Sequence, residues 1–205
     1  EPLSEEQLPD DLWLRSIEWR GDSEVVHHIV GSASVKDENG QTLSYELGSI
    51  APGEEASVYP EGYGKLLPKG SRIHFNMHYH KETGPGTGQF DQSMVGFRFW
   101  DENDPKVRHA VQRSGVSSSS FEIPPNHPHW PVGSAKTFDE DTSLLALHPH
   151  MHLRGKDAKY VAYYPDGTSE LLLYVPAFDF NWQLDYTYAE PKKIPAGTRI
   201  EFTAH

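Results

Sequence analysis

Histidine is the residue type best placed to do chemistry here, with 12 in a chain of 205 residues. Most are clustered, as His27-His28, His74/His78/His80, His127/His129 and His148/His150/His152. A neutral imidazole is a ready metal ligand, and several on one surface suit Cu, Zn, Fe or Ni. Without thiolates, an all-imidazole set does not choose among these metals. In a strand, side chains alternate between faces, so histidines at i and i+2 can reach one ion. Along 72–80 this puts Ile73, Phe75, Met77 and Tyr79 on one face and His74, Asn76, His78 and His80 on the other. Residues 144–153 repeat the device, with Leu145, Leu147, Met151 and Leu153 opposite His148, His150 and His152. A single strand histidine is ordinarily a hydrogen-bonded surface residue. A same-face row is different, because cationic neighbours repel and the row needs a partner. His127 and His129, in a Pro-rich stretch, read as loop residues. His109 and His205 stand alone in the sequence and carry no assignment.

The pair His27-His28 sits in Val25-Val26-His27-His28-Ile29-Val30. Regular alternation sends the two rings to opposite faces. Both can hold one metal only if the strand is bulged or ends there, and the sequence leaves that open.

The elements that must position these residues are short. No window sustains a helical apolar period, whereas alternating runs bounded by turn signals recur. The clearest turns are Asn39-Gly40, Pro68-Lys69-Gly70, Asp166-Gly167 and Pro195-Ala196-Gly197. Strands are expected over 24–35, 71–80, 93–100, 143–153, 158–164, 169–175 and 198–204. Ser4 with Gln7 behind it offers a capping signal for a helix within 1–12. With 17 Gly and 16 Pro, the chain is punctuated as an all-β protein. The tract Arg113-Ser-Gly-Val-Ser-Ser-Ser-Ser120 reads as a linker, giving an N-terminal domain of 1–113 and a C-terminal domain of 114–205. The acidic run Asp139-Glu140-Asp141 reads as a solvated loop.

Composition excludes several classes. The formal net charge of −12 and the scattered Lys and Arg argue against a nucleic-acid partner. With no Cys there are no disulfides, thiolate ligands, Fe–S clusters or Cys-x-x-Cys-His haem sites. No apolar run approaches the roughly 20 residues of a membrane helix. A start at Glu1 instead of Met leads to the expectation of upstream processing or trimming.

Three stretches together resemble the copper type II, ascorbate-dependent monooxygenases, the family of peptidylglycine α-hydroxylating and dopamine β-monooxygenases. They are Val-Val-His27-His28-Ile, then Leu-Pro-Lys-Gly-Ser with His74-Phe-Asn-Met-His78-Tyr79, then His150-Met-His152-Leu-Arg-Gly-Lys156. Phe121-Glu-Ile-Pro-Pro125 resembles the entry to that family's second domain. Phe178-Asp-Phe-Asn-Trp-Gln183 and Pro195-Ala-Gly-Thr198 are similar to its bacterial branch. The likeness runs from about residue 12 to 205.

The resemblance implies two tandem jelly-roll-type β-sandwiches, the second incomplete, with one copper in each. His27, His28 and His78 match the electron-transfer site, and Asn76 stands where the animal enzymes have Gln. His150 and His152 match the oxygen-activating copper; the alternative register, His148 with His150, needs a two-residue gap before Gly155-Lys156. It further implies ascorbate or another one-electron reductant, O₂ and a small organic substrate hydroxylated at an activated C–H bond. A secreted or periplasmic location is implied too.

Three departures qualify it. The animal enzymes are rich in disulfides. The Arg that binds a peptide carboxylate corresponds here to His148, so a peptidylglycine substrate is not implied. The family's Met ligand lies on a strand beyond the second His-x-His, past His205, so the chain is expected to be a fragment of a longer active protein. Two rivals stand beside this reading. One is a mononuclear zinc or iron enzyme using His150-x-His152 with a distant His, which leaves His27, His28 and His78 unused. The other is a non-catalytic copper-binding or structural module of a larger assembly.

Overall fold

The computed structural model describes residues 8, 10–51, 54–101 and 107–205. The chain divides into two compact units, Glu1–Arg113 and Ser114–His205, with the division inside the Ser-rich tract. The described residues are all-β. The helix expected within 1–12 falls largely outside them, and at its end Leu12 already opens a strand.

The first unit contains β1 (Leu12–Arg20), β2 (Val26–Lys36), β3 (Thr42–Ile50), β4 (Ser57–Val58), β5 (Tyr63–Leu67), β6 (Arg72–Tyr79), β7 (Met94–Phe99) and β8 (His109–Ala110). One sheet is β3-β2-β6, antiparallel throughout. The other is built on β1, which pairs with β4, β5 and β7, while β8 lies parallel to β5. Both sheets feed one core: Leu14, Ile17 and Trp19 from β1 meet Ile29 and Ala33 of β2, Leu47 of β3 and Ile73 of β6. That is a sandwich, and each buried Leu or Ile contributes about 1.5–3 kcal/mol. Trp19 stands edge-on to Phe75 with ring centroids 5.0 Å apart. Its indole also fills the space above Gly31, where an added Cβ would lie 1.6 Å from Cζ2. The hairpin between β2 and β3 turns at Asn39-Gly40: Gly40 has φ 78°. Asp37 there accepts from the Asn39 and Gln41 amides at 2.9 and 2.7 Å.

The second unit contains β9 (Val132–Thr137), β10 (Thr142–Leu147), β11 (Ala158–Tyr163), β12 (Ser169–Val175), β13 (Tyr186–Ile194) and β14 (Arg199–Ala204). A four-stranded antiparallel sheet, β12-β11-β14-β9, faces the β10-β13 pair. Tyr160, Ala162, Ile194, Ile200 and Leu147 form the shared core. The β10–β13 ladder jumps from Leu144↔Lys192 to Ala146↔Thr187, leaving Pro191, which has no N–H to donate, outside the regular pairing. The jump also shifts the alternation, so Leu144 joins Leu147 at the core where regular alternation had placed Leu145.

Six of the seven expected strands match their observed spans to within two residues at each end. The seventh, 143–153, overshoots. Its last ladder pair is Leu147↔Tyr186, and residues 148–152 lie in irregular chain. Tyr79 also departs from its expected apolar face: it is exposed, and its hydroxyl donates to Asp91 at 3.0 Å.

Candidate metal centres

In the first unit the question left open by His27-His28 turns on the β2–β6 ladder. Val26 pairs with Tyr79 and His28 with His78, so His27 is the extra residue of a β-bulge. The bulge changes the facing of the segment. Val26 packs against the core and Ile29 is buried in it, although an odd separation of three places two residues of a regular strand on opposite faces. His27 and His28 therefore both turn away from the core and meet His78, which stands across the ladder from His28.

The donors of these three rings lie within 4.8 Å of one another. His28 Nδ1 is 3.2 Å from His27 Nδ1 and 3.4 Å from His78 Nδ1. The ring centroids are 4.7–5.4 Å apart, with planes steeply inclined. One imidazole nitrogen carries either a proton or a lone pair, so a single well-made N–H···N bond serves one of the two His28 contacts. A cation serves both at once. Two nitrogens bound at about 2.0 Å with a near-tetrahedral angle stand roughly 3.3 Å apart, which is the spacing found. Burial lowers the His27 pKa from its ordinary value, and the positive charges of His78 and then His80 lower it further. The ring is thus biased toward the neutral form that ligates metal.

The other histidines of β6 are occupied differently. His74 Nε2 lies 2.7 Å from Ser34 Oγ. His80 follows the strand, its amide donating to the Val25 carbonyl at 2.8 Å. Asn76 is exposed on the histidine face.

In the second unit His148, His150 and His152 follow β10 in irregular chain. Their centroids are 6.4 Å apart for His148–His150 and 5.3 Å for His150–His152. Among the described residues these three do not gather their donors as His27, His28 and His78 do. His150 is oriented by Gln183, a buried residue that sequence patterning does not single out for this role. Gln183 Nε2 donates to the Phe180 carbonyl at 2.8 Å, which fixes Oε1 as the acceptor 2.6 Å from His150 Nδ1. Neutral His150 then carries its proton on Nδ1 and its lone pair on Nε2. His148 Nδ1 lies 3.0 Å from Asp185 Oδ1. Met151 packs against Gly155, where an added Cβ would lie 2.7 Å from the Met151 Cβ.

A second convergent group joins residues that carry no assignment in the sequence: His129, Asp157 and His205. His205 Nδ1 is 2.8 Å from Asp157 Oδ1. The His129 and His205 rings stack at 3.7 Å, 9° from parallel. Lys156 Nζ donates to His129 Nδ1 at 3.2 Å. Desolvation, with His205 and Lys156 next, lowers the His129 pKa against the opposing pull of Asp157. No short-range pattern marks this group, because its members come from three separate elements.

Fold and sites together define an all-β protein with imidazole-rich candidate metal centres. No protein-family model matches this chain, and no curated protein matches it. No described helix is long and apolar enough to cross a membrane.

Proposed function

We propose that this chain is a copper-dependent monooxygenase that hydroxylates an activated C–H bond of a small organic substrate with O₂. An ascorbate-type reductant supplies the electrons, and the setting is secreted or periplasmic. The observation that carries the reading is the bulge at His27, which turns an adjacent histidine pair and a cross-strand third histidine into one donor set. Imidazole chemistry alone leaves the metal open; the resemblance of the histidine motifs to those of the copper type II monooxygenases is what favours copper.

In this proposal His27, His28 and His78 hold the electron-transfer copper. His150 and His152, with His148 as the alternative, hold the copper at which O₂ is used. Bound copper would supply one-electron redox chemistry and O₂ activation. The chain's own residues do the positioning. β2 and β6 fix the first three rings on a sheet that a packed core holds rigid. Gln183 sets the His150 tautomer that leaves the Nε2 lone pair for ligation.

The test is copper stoichiometry together with ascorbate-dependent O₂ uptake. Full-length protein is expected to bind copper and consume O₂. His78→Ala is expected to lose about one copper per chain, whereas His80→Ala keeps it. Equal losses from the two variants would overturn the ligand assignment, and zinc or iron retained in preference to copper would overturn the metal. A second reading, a copper-binding module without turnover, is favoured by the open arrangement of His148, His150 and His152. Copper bound with no O₂ uptake under any reductant would decide for it.

A further inference from the structure

We infer that His129, Asp157 and His205 form a separate site for a borderline divalent cation of the Zn²⁺ type, which ties together three strand ends of the second unit. The inference does not rest on the copper reading, since it uses none of the residues assigned there.

The frame comes first. Asp157 directly precedes β11, and His205 directly follows β14. Those strands pair as Ala158↔Ala204, and their ladder continues outward: the His205 amide donates to the Asp157 carbonyl at 3.3 Å, and the Lys156 amide to the His205 carbonyl at 2.8 Å. β14 pairs on its other side with β9 through Ala204↔Val132, and His129 lies three residues ahead of that pair. The three donors thus sit at the same end of three adjacent strands, whose spacing of about 4.8 Å is set by the backbone.

The donors come next. Asp157 is buried, with 8 % of its surface exposed, while His129 is exposed. All three donor atoms lie within 4.8 Å of one another. The tightest pair, His205 Nδ1 and Asp157 Oδ1 at 2.8 Å, needs little movement to share an ion. The stacked His129 ring, being exposed, has room to tilt its nitrogen toward the same point. Two imidazoles and one carboxylate suit Zn²⁺ or a similar ion, whereas Ca²⁺ and Mg²⁺ call for more oxygens and Cu⁺ for softer donors. Lys156 is the local competitor: its ammonium, 3.2 Å from His129 Nδ1, places a positive charge where the ion would add two.

In a cystine-free unit such an ion would act as a cross-link between strands, so its binding should appear as stability. The experiment is calorimetric titration of Zn²⁺ into full-length His78→Ala/His150→Ala protein, with thermal melts in parallel. One Zn²⁺ per chain and a raised Tm are expected. Adding His129→Ala, an exposed substitution that leaves the core intact, should weaken binding by at least roughly tenfold and remove the Tm gain. His205→Ala should do the same, and Lys156→Met should tighten binding about tenfold. No Zn²⁺ bound in the double-variant background would overturn the inference. So would Zn²⁺ bound equally well after His129→Ala and His205→Ala.

Discussion

His27 shows how one side chain links proton and metal chemistry. Its pKa is lowered first by burial and then by His78 and His80, so the folded metal-free chain disfavours the protonated ring more than the unfolded chain does. Above its ordinary value of 6.5 both states are neutral at this residue. As pH falls through 6.5 the unfolded chain takes up the proton first, and stability declines until the folded-state pKa is passed. Metal-stripped protein is therefore expected to have a lower urea midpoint at pH 5 than at pH 7.5. His27→Gln should flatten that dependence, and an unchanged slope would refute the effect. At His148 the neighbouring Asp185 carboxylate, 3.0 Å away, disfavours an anionic substrate group, which an Arg at this position would instead hold by a bidentate contact. Peptides ending in glycine should not be hydroxylated with saturation at micromolar concentration. Gln183→Ala should cost about 10–100-fold in metal affinity at His150, read by copper titration of the His78→Ala protein.

At the scale of elements, Gly31 and Trp19 make a pair across the first core. An added methyl at 31 would enter the indole, so Gly31→Ala should destabilise by about 1–3 kcal/mol or more in urea unfolding. A second change, Trp19→Phe, should recover part of the loss, and additive costs would show that the two do not compete for space. The same scale explains what was legible in the sequence. β6 alternates regularly from Ile73 to Met77, so its histidine face could be read directly. The bulge at His27 could not, because it belongs to the pairing of β2 with β6 and to neither strand alone. The alternation of 144–153 continues in the sequence after the ladder has ended at Leu147, so the strand was read too long. His129, Asp157 and His205 are brought together only by the order β11-β14-β9, which no local pattern encodes.

At the scale of the whole molecule, stability rests on two separate apolar cores with no covalent cross-links. The net charge of −12 draws divalent cations toward the surface and, at low ionic strength, opposes compaction. Moderate NaCl is accordingly expected to raise the Tm of chelator-treated protein slightly, and a fall in Tm with salt would contradict this. The extra residue in β2 carries a consequence for how such a chain tolerates insertions and deletions. Removing one residue at the bulge leaves the composition almost untouched and brings the separation of Val26 from Ile29 to two, so both keep the core face, but only one position then remains between them to face outward. Ligation at the first centre thus depends on an insertion: a deletion that restores regular pairing leaves β2 with one outward ring where the site uses two.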